Sequence, residues 1–249
     1  MGTVLLIRHG QNDWVKKKRL AGWTPGVHLN QEGMDQVEAL ATRLANLEIR
    51  AVYSSPLERC VETAQIVANP HNLDVARKPD IGEVRYGDWE GKKLKKLARK
   101  KRKWYSVQHY PSRFQFPGGE SFSEVQMRAV SAVEELCQAH EKEIVAVISH
   151  ADVIKLILAN YLGMHIDLFQ RLVIDPASVS LLAVSSHGPV RVLRINDAGP
   201  LIIRNASKSS EKNDSSHQDQ EVDHVGDLHS SATNTSNHIS TIDSRNQDS

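Results

Sequence analysis

A chain of 249 residues, 40% apolar and 24% charged, can bury one sizeable core and has the composition of a globular protein. Its first apolar run is too short for a leader and ends at Arg8, no stretch approaches the roughly 20 apolar residues of a membrane span, and two cysteines exclude a disulfide framework, so a cytoplasmic protein is expected. The net charge of +1 is uneven: from Asn205 onward eight acidic residues face three basic ones, which leaves −5 there and +6 on the preceding body.

The first predicted element is the strand Val4-Leu5-Leu6-Ile7, which ends in Arg8-His9-Gly10. Asn30 is placed to cap a helix in which Val37, Leu40, Ala41, Leu44 and Leu47 recur at helical spacing. Ala51-Val52-Tyr53-Ser54 reads as a short buried strand. Ser55-Pro56-Leu57-Glu58 then combines a capping box with proline at the first helical position. The helix it opens carries Leu57, Cys60, Val61, Ala64 and Val67 on one face, with Pro70 beyond its end. A glycine-punctuated irregular stretch over 81–91 follows. A second capping box, Ser121-Phe122-Ser123-Glu124, starts a long helix running to about His140.

The strand Ile144-Val145-Ala146-Val147-Ile148-Ser149 repeats the first design and leads into His150 and an apolar helix through Ile154, Ile157, Leu158 and Tyr161. Segments 178–185 and 190–195, joined at His187-Gly188-Pro189, read as a hairpin near one sheet edge. Alternating strands and helices predict an α/β fold with a mostly parallel central sheet covered by helices on both faces. The predicted domain spans 1–203. The remainder, 204–249, is rich in Ser, Asn, Asp and His, has no aromatic residue and shows no apolar period, so it is expected to be a disordered acidic tail. Its histidines lack compact metal-ligand spacing.

In open α/β sheets, ligands bind outside the carboxyl ends of the strands. His9 and His150, leaving two such strands, can therefore meet over one site, which suits phosphoryl transfer through a histidine. Arg59 lies in the first turn of the helix after Ser54 and faces the same rim, where amides, helix dipole and guanidinium all favour an anion. Glu83 sits on the adjoining irregular loop. Taken singly, each residue has an ordinary reading: Arg59 as surface arginine, Glu83 as solvated acid, His150 as core histidine. Cys60 and Cys137 read as core packing.

Taken together, Leu6-Ile7-Arg8-His9-Gly10, the run from Ser54-Ser55-Pro56 to Arg59-Cys60-Val61-Glu62-Thr63-Ala64, the segment 83–91, Pro117-Gly118-Gly119-Glu120-Ser121 and Ser149-His150 resemble the histidine phosphatase superfamily in its phosphoglycerate-mutase-like branch. The resemblance spans about residues 1–200 and implies a three-layer α/β/α sandwich. It also implies roles: His9 as the nucleophile, Arg8, Arg59 and His150 as holders of the phosphoryl oxygens, and Glu83 as the acid and then base. Arg8, Asn12, Arg59, His150 and the amide of Ala151 would contact substrate. No metal or other cofactor is implied, because arginines and histidines supply the charge. The expected partner is a small phosphorylated substrate, with no nucleic acid and no membrane, and oligomeric state is left open, a dimer included.

Three positions depart from the pattern. Asn12 and Val15 stand where relatives often carry threonine and asparagine, and Ala151 replaces a common glycine. Asn12 still donates a hydrogen bond and Val15 does not, which bears on substrate identity more than on chemistry. The resemblance favours a phosphatase, of histidine acid phosphatase type, over a phosphoglycerate-type mutase: Val84 rather than arginine follows Glu83, and the interval to His150 is compact. Tyr86-Gly87 echoes the mutases, so that alternative stands second. A third reading, polyanion binding, rests on 92–103, where nine of twelve residues are basic and Leu94, Leu97 and Ala98 make a narrow apolar stripe. A docked solvated helix is the favoured account of that run, and a flap steering anionic substrate comes next. Specificity is expected from the loops over 14–24 and 104–116.

Overall fold

The computed structural model describes residues 2–185 and 188–199. In chain order it contains β1 (Gly2–Arg8), α1 (Asp13–Lys16), α2 (Gln31–Leu44), β2 (Ile49–Ser54), α3 (Glu58–Ala68) and β3 (Val75–Arg77). These are followed by α4 (Leu94–Ala98), α5 (Lys101–His109), α6 (Phe122–Ala139), β4 (Ile144–Ser149), α7 (Ala151–Tyr161), β5 (Val179–Ser185) and β6 (Gly188–Asp197). The expected tail, 204–249, lies outside the described residues, as does His187 of the predicted hairpin turn.

Six strands form one sheet in the order β3-β2-β4-β1-β5-β6. The pairs β1–β4, β2–β4 and β2–β3 are parallel, and β5 and β6 close one edge as an antiparallel hairpin. Alternation along each inner strand sorts the two faces. Val4, Leu6, Val145 and Val147 pack with α6 and α7, whereas Leu5, Ile7, Ala146 and Ile148 pack with α2 and α3. The sheet between two helical layers is the expected three-layer sandwich. Pairing of Ile7 with Ile148 and Arg8 with Ser149 brings the two histidine-bearing strand ends side by side.

Both local signals for the long helices hold. Asn30 caps α2 by accepting from the Gly33 amide at 2.9 Å, and the Ser121–Glu124 box on α6 is complete. Leu47 departs from expectation, lying three residues beyond the end of α2 and 38% exposed. The Ser55 box does not form. α3 begins at Glu58 with Leu57 at its N-cap and no side-chain cap. The Ser55 hydroxyl is engaged instead by a buried histidine, at 2.8 Å. The basic run also breaks, at Arg99–Lys100, into two short helices rather than one.

The loop after β1 is pinned by a backbone contact that only glycine permits. A Cβ on Gly33 would lie 2.0 Å from the Gln11 carbonyl oxygen, and one on Gly10 would lie 2.6 Å from that of Gly33. The glycine after His9 thus lets this loop pack closely on α2. Gly33→Ala is expected to cost about 1–3 kcal/mol through overpacking, a fall of roughly 3–10 °C in a thermal melt. A melting temperature unchanged from wild type would contradict this account.

Candidate active site

All five predicted residues with assigned chemistry, Arg8, His9, Arg59, Glu83 and His150, come together at the carboxyl ends of β1 and β4. Four of them, with Asn12, Val15 and Ala151, line a cavity of about 200 Å³. His150, the fifth, is fully buried and stands behind it, with its ring centroid 5.3 Å from that of His9. Cys60, expected as core, is indeed fully buried, yet its sulfur lies 3.4 Å from His150 Nε2. Burial pushes its thiol up to about 12, so it stays protonated and inert.

Hydrogen bonding fixes the tautomer of each ring. His9 Nδ1 lies 2.7 Å from the Gly10 carbonyl oxygen, which only accepts, so Nδ1 carries the proton and Nε2 keeps its lone pair. Burial, with the charges of Arg59 and Arg8, holds His9 well below the ordinary histidine range and therefore neutral. His150 Nδ1 faces the donor Arg59 Nη2 at 3.3 Å, so it accepts, and Nε2–H donates to Ser55 Oγ. Burial and the same arginines keep His150 neutral too. Its 3.7 Å approach to Glu83 Oε2 is accordingly no ion pair.

The guanidiniums are held by backbone carbonyls. Arg8 Nη1 donates to Ile174 O at 2.6 Å and Arg59 Nη2 donates to Gly22 O at 2.9 Å. Each still has a buried donor with no protein partner: Arg8 Nε and Arg59 Nη1, and Asn12 Nδ2 is in the same state. Buried donors are rarely left unpaired, and these three belong to residues lining one cavity. The Asn12 side chain is oriented by α1, whose Trp14 and Val15 amides donate to its Oδ1 at 3.0 and 2.9 Å. Val15, which lost the donor expected at its position, contributes this amide instead. Ala151 opens α7, so its amide belongs to the free N-terminal set of that helix.

Glu83 sits across the cavity with its side chain 13% exposed. Burial, and secondarily the negative charge of Asp152, raises its carboxyl to about 7 against the pull of Arg59 and Arg8. Its Oε1 accepts from the Val84 amide at 3.0 Å, and the Tyr86 hydroxyl stands 3.5 Å away. That hydroxyl donates to Asp152 Oδ2 at 3.0 Å.

Sequence reasoning missed Asp152, Tyr86 as a partner of it, and the clamp behind Glu83. Trp23 Nε1 and Arg128 Nη2 both donate to the Glu83 carbonyl, at 2.6 and 3.0 Å. Glu120 holds Arg128 at 2.9 Å and accepts from the Arg85 amide at 2.9 Å, which explains the Pro117-Gly118-Gly119-Glu120-Ser121 motif. Gly119 permits the approach, because a Cβ there would lie 2.0 Å from Arg85 O.

The basic run packs beside this cavity. Leu97 is fully buried and Leu94 lines the cavity, while Lys95 and Lys96 on α4 are exposed. Leu94 N donates to Lys18 O and Leu20 N to Lys92 O, both at 2.9 Å, which ties α4 to the 14–24 loop. Lys18 and Arg19 of that loop also line the cavity.

Comparison with known proteins agrees with this fold. The sequence model of the histidine phosphatase superfamily (branch 1) matches residues 4–198. A bifunctional protein from Mycobacterium tuberculosis is 34% identical over 200 residues, covering 80% of this chain and 54% of its own length. This chain thus spans about half of that relative. A metal-independent phosphoserine phosphatase from Arabidopsis thaliana is 34% identical over 162 residues, covering 62% of this chain and 66% of its own. Among solved structures, YhfR from Bacillus stearothermophilus superposes with a TM-score of 0.75 at 28% identity, covering 79% of this chain and 98% of its own.

Proposed function

This chain belongs to branch 1 of the histidine phosphatase superfamily, and from that premise we propose that it hydrolyses a small phosphate monoester through a phosphohistidine at His9, without metal. The observation that carries this reading is the neutral His9 ring, its free Nε2 facing a cavity whose walls hold three unpartnered buried donors. His9 Nε2 attacks phosphorus while the bond to the leaving oxygen breaks. Glu83, protonated near neutrality, gives that oxygen its proton. Arg8 and Arg59 offset the charge on the equatorial oxygens, with Asn12 and the Ala151 amide as further donors. The Glu83 carboxylate then takes a proton from water as the water attacks the phosphohistidine, releasing phosphate and returning His9 to its neutral form. The covalent step divides a difficult hydrolysis in two.

A carboxyl at about 7 favours the acid form below neutrality, which supports an acid-phosphatase type. No helix among the described residues is long and apolar enough to cross a membrane, and the cytoplasmic assignment rests on composition. The domain is taken as 1–203 with 204–249 as an acidic appendage. The test is phosphate release from a panel of monoesters in chelator, with phosphoglycerate interconversion followed in parallel. Release in chelator supports the proposal, while interconversion without release makes the protein a mutase.

The exposed lysines of α4 fit steering better than polyanion binding, since the stripe beneath them is docked against the cavity. Lys95→Gln with Lys96→Gln is expected to raise KM severalfold at low salt and to do little at high salt. Equal KM for variant and wild type at low salt would exclude steering.

A further inference from the structure

A second cavity, of about 210 Å³, adjoins the first and shares Leu20, Tyr86, Leu94 and Asp152 with it. Its other walls are mostly aromatic and aliphatic. Trp89 stacks on Trp104 at 6.4 Å between centroids and meets Phe116 edge-on at 5.4 Å, with Leu97 and Val107 alongside. Trp104 is only half-buried and Gln108 is exposed, so the chamber reaches solvent beside α5. An apolar cavity of about 150 Å³ already accommodates benzene.

Of its polar groups, the Asp152 carboxylate and Gln170 Oε1 are occupied, while the Gln108 amide and Gln170 Nε2 have no partner among the described residues. Asp152 accepts from the Tyr86 hydroxyl at 3.0 Å and from Lys155 at 3.3 Å, and Gln170 Oε1 accepts from Lys155 at 3.3 Å. A carboxylate on a leaving group entering here would meet the Asp152 charge and no free cation. A hydroxylated one would give up its water for few partners, the Gln108 and Gln170 amides among them. An aromatic leaving group loses nothing and gains contact with the rings. From this geometry, and resting on the phosphatase reading above, we infer that the preferred substrates are phosphate monoesters whose leaving group carries a neutral aromatic body, seated between α5 and the Trp89 ring while the phosphoryl group sits at His9. The competing class, leaving groups that carry a carboxylate, such as those of phosphoserine or phosphoglycerate, would have to turn that carboxylate towards Lys18 and Arg19 instead.

Steady-state kinetics on the full chain, with benzyl phosphate and phosphoserine as probes whose leaving oxygens are both alkyl, decides between them. The expected wild-type kcat/KM favours benzyl phosphate by at least about tenfold. Val107→Phe, which fills the chamber, and Trp104→Ala, which removes a wall, should each lower that ratio by about tenfold. Two substitutions of opposite volume guard against a folding defect in one, and a ratio cancels any uniform loss of active enzyme. Release from phosphoserine at an equal or higher kcat/KM in wild type, or a ratio that neither substitution moves, overturns the inference and leaves the phosphatase reading standing. Release from no ester at all overturns that reading, and this inference with it.

Discussion

His9→Ala is expected to reduce phosphate release by on the order of 10⁴-fold or more, the scale on which an enzyme loses its covalent nucleophile. His9 is 3% exposed and sits at the end of a strand paired on both sides, so the backbone that carries it is held independently of the ring. The alanine variant should therefore stay folded while losing only the attacking atom. The arginines remain, and a water admitted to the vacated space would face the same oriented donors, which sets the residual rate. Quenching the wild type with a ³²P-labelled ester in alkali should leave label on the protein, because phosphohistidine survives base and is lost in acid. The label should be absent from His9→Ala. Release by the variant within tenfold of wild type, in chelator and with an unchanged melt, would remove His9 as nucleophile.

What the sequence carried most plainly was the part written in contiguous residues. Strand runs ending in Arg8-His9 and Ser149-His150, the Asn30 cap and the Ser121 box each lie within a few positions, and each is realised. Ser55 shows where local rules lose. Its hydroxyl fits a capping box, but the box competes with a buried imidazole that needs an acceptor for Nε2–H, and the buried partner wins. The same logic hid the environment of Glu83. Tyr86 and Asp152 are 66 residues apart, and Arg128 reaches back 45 residues to the Glu83 carbonyl. No periodicity or spacing encodes such pairs. Glu120 alone left a trace, as the acid in a glycine-rich motif, without indicating what it holds.

The largest effect after loss of the nucleophile is expected from Glu83→Gln, with kcat for an alkyl phosphate lowered about 10²–10⁴-fold. The amide keeps the Val84 contact but has no proton to give and cannot take one from water. An ester with a good leaving group, such as p-nitrophenyl phosphate, needs no proton on departure. Its first step should survive in the variant as a burst of p-nitrophenol, followed by slow turnover, because dephosphorylation still lacks a base. The pH profile tests the same group by a different route. Glu83 assists departure as the acid, so kcat/KM for the alkyl ester should fall as pH rises through about 7, where its carboxyl titrates. Burial is the main cause of that elevation, and the Asp152 charge adds to it. Removing a neighbouring negative charge makes ionisation easier, so Asp152→Asn lowers the Glu83 pKa and moves the alkaline limb to lower pH. The substitution keeps the size of the side chain, and a purely structural lesion would scale the whole profile without displacing its limb. An Asp152→Asn profile coincident with wild type would show that Asp152 does not tune Glu83. An alkaline limb that persists unchanged in Glu83→Gln would show that the titrating group lies elsewhere.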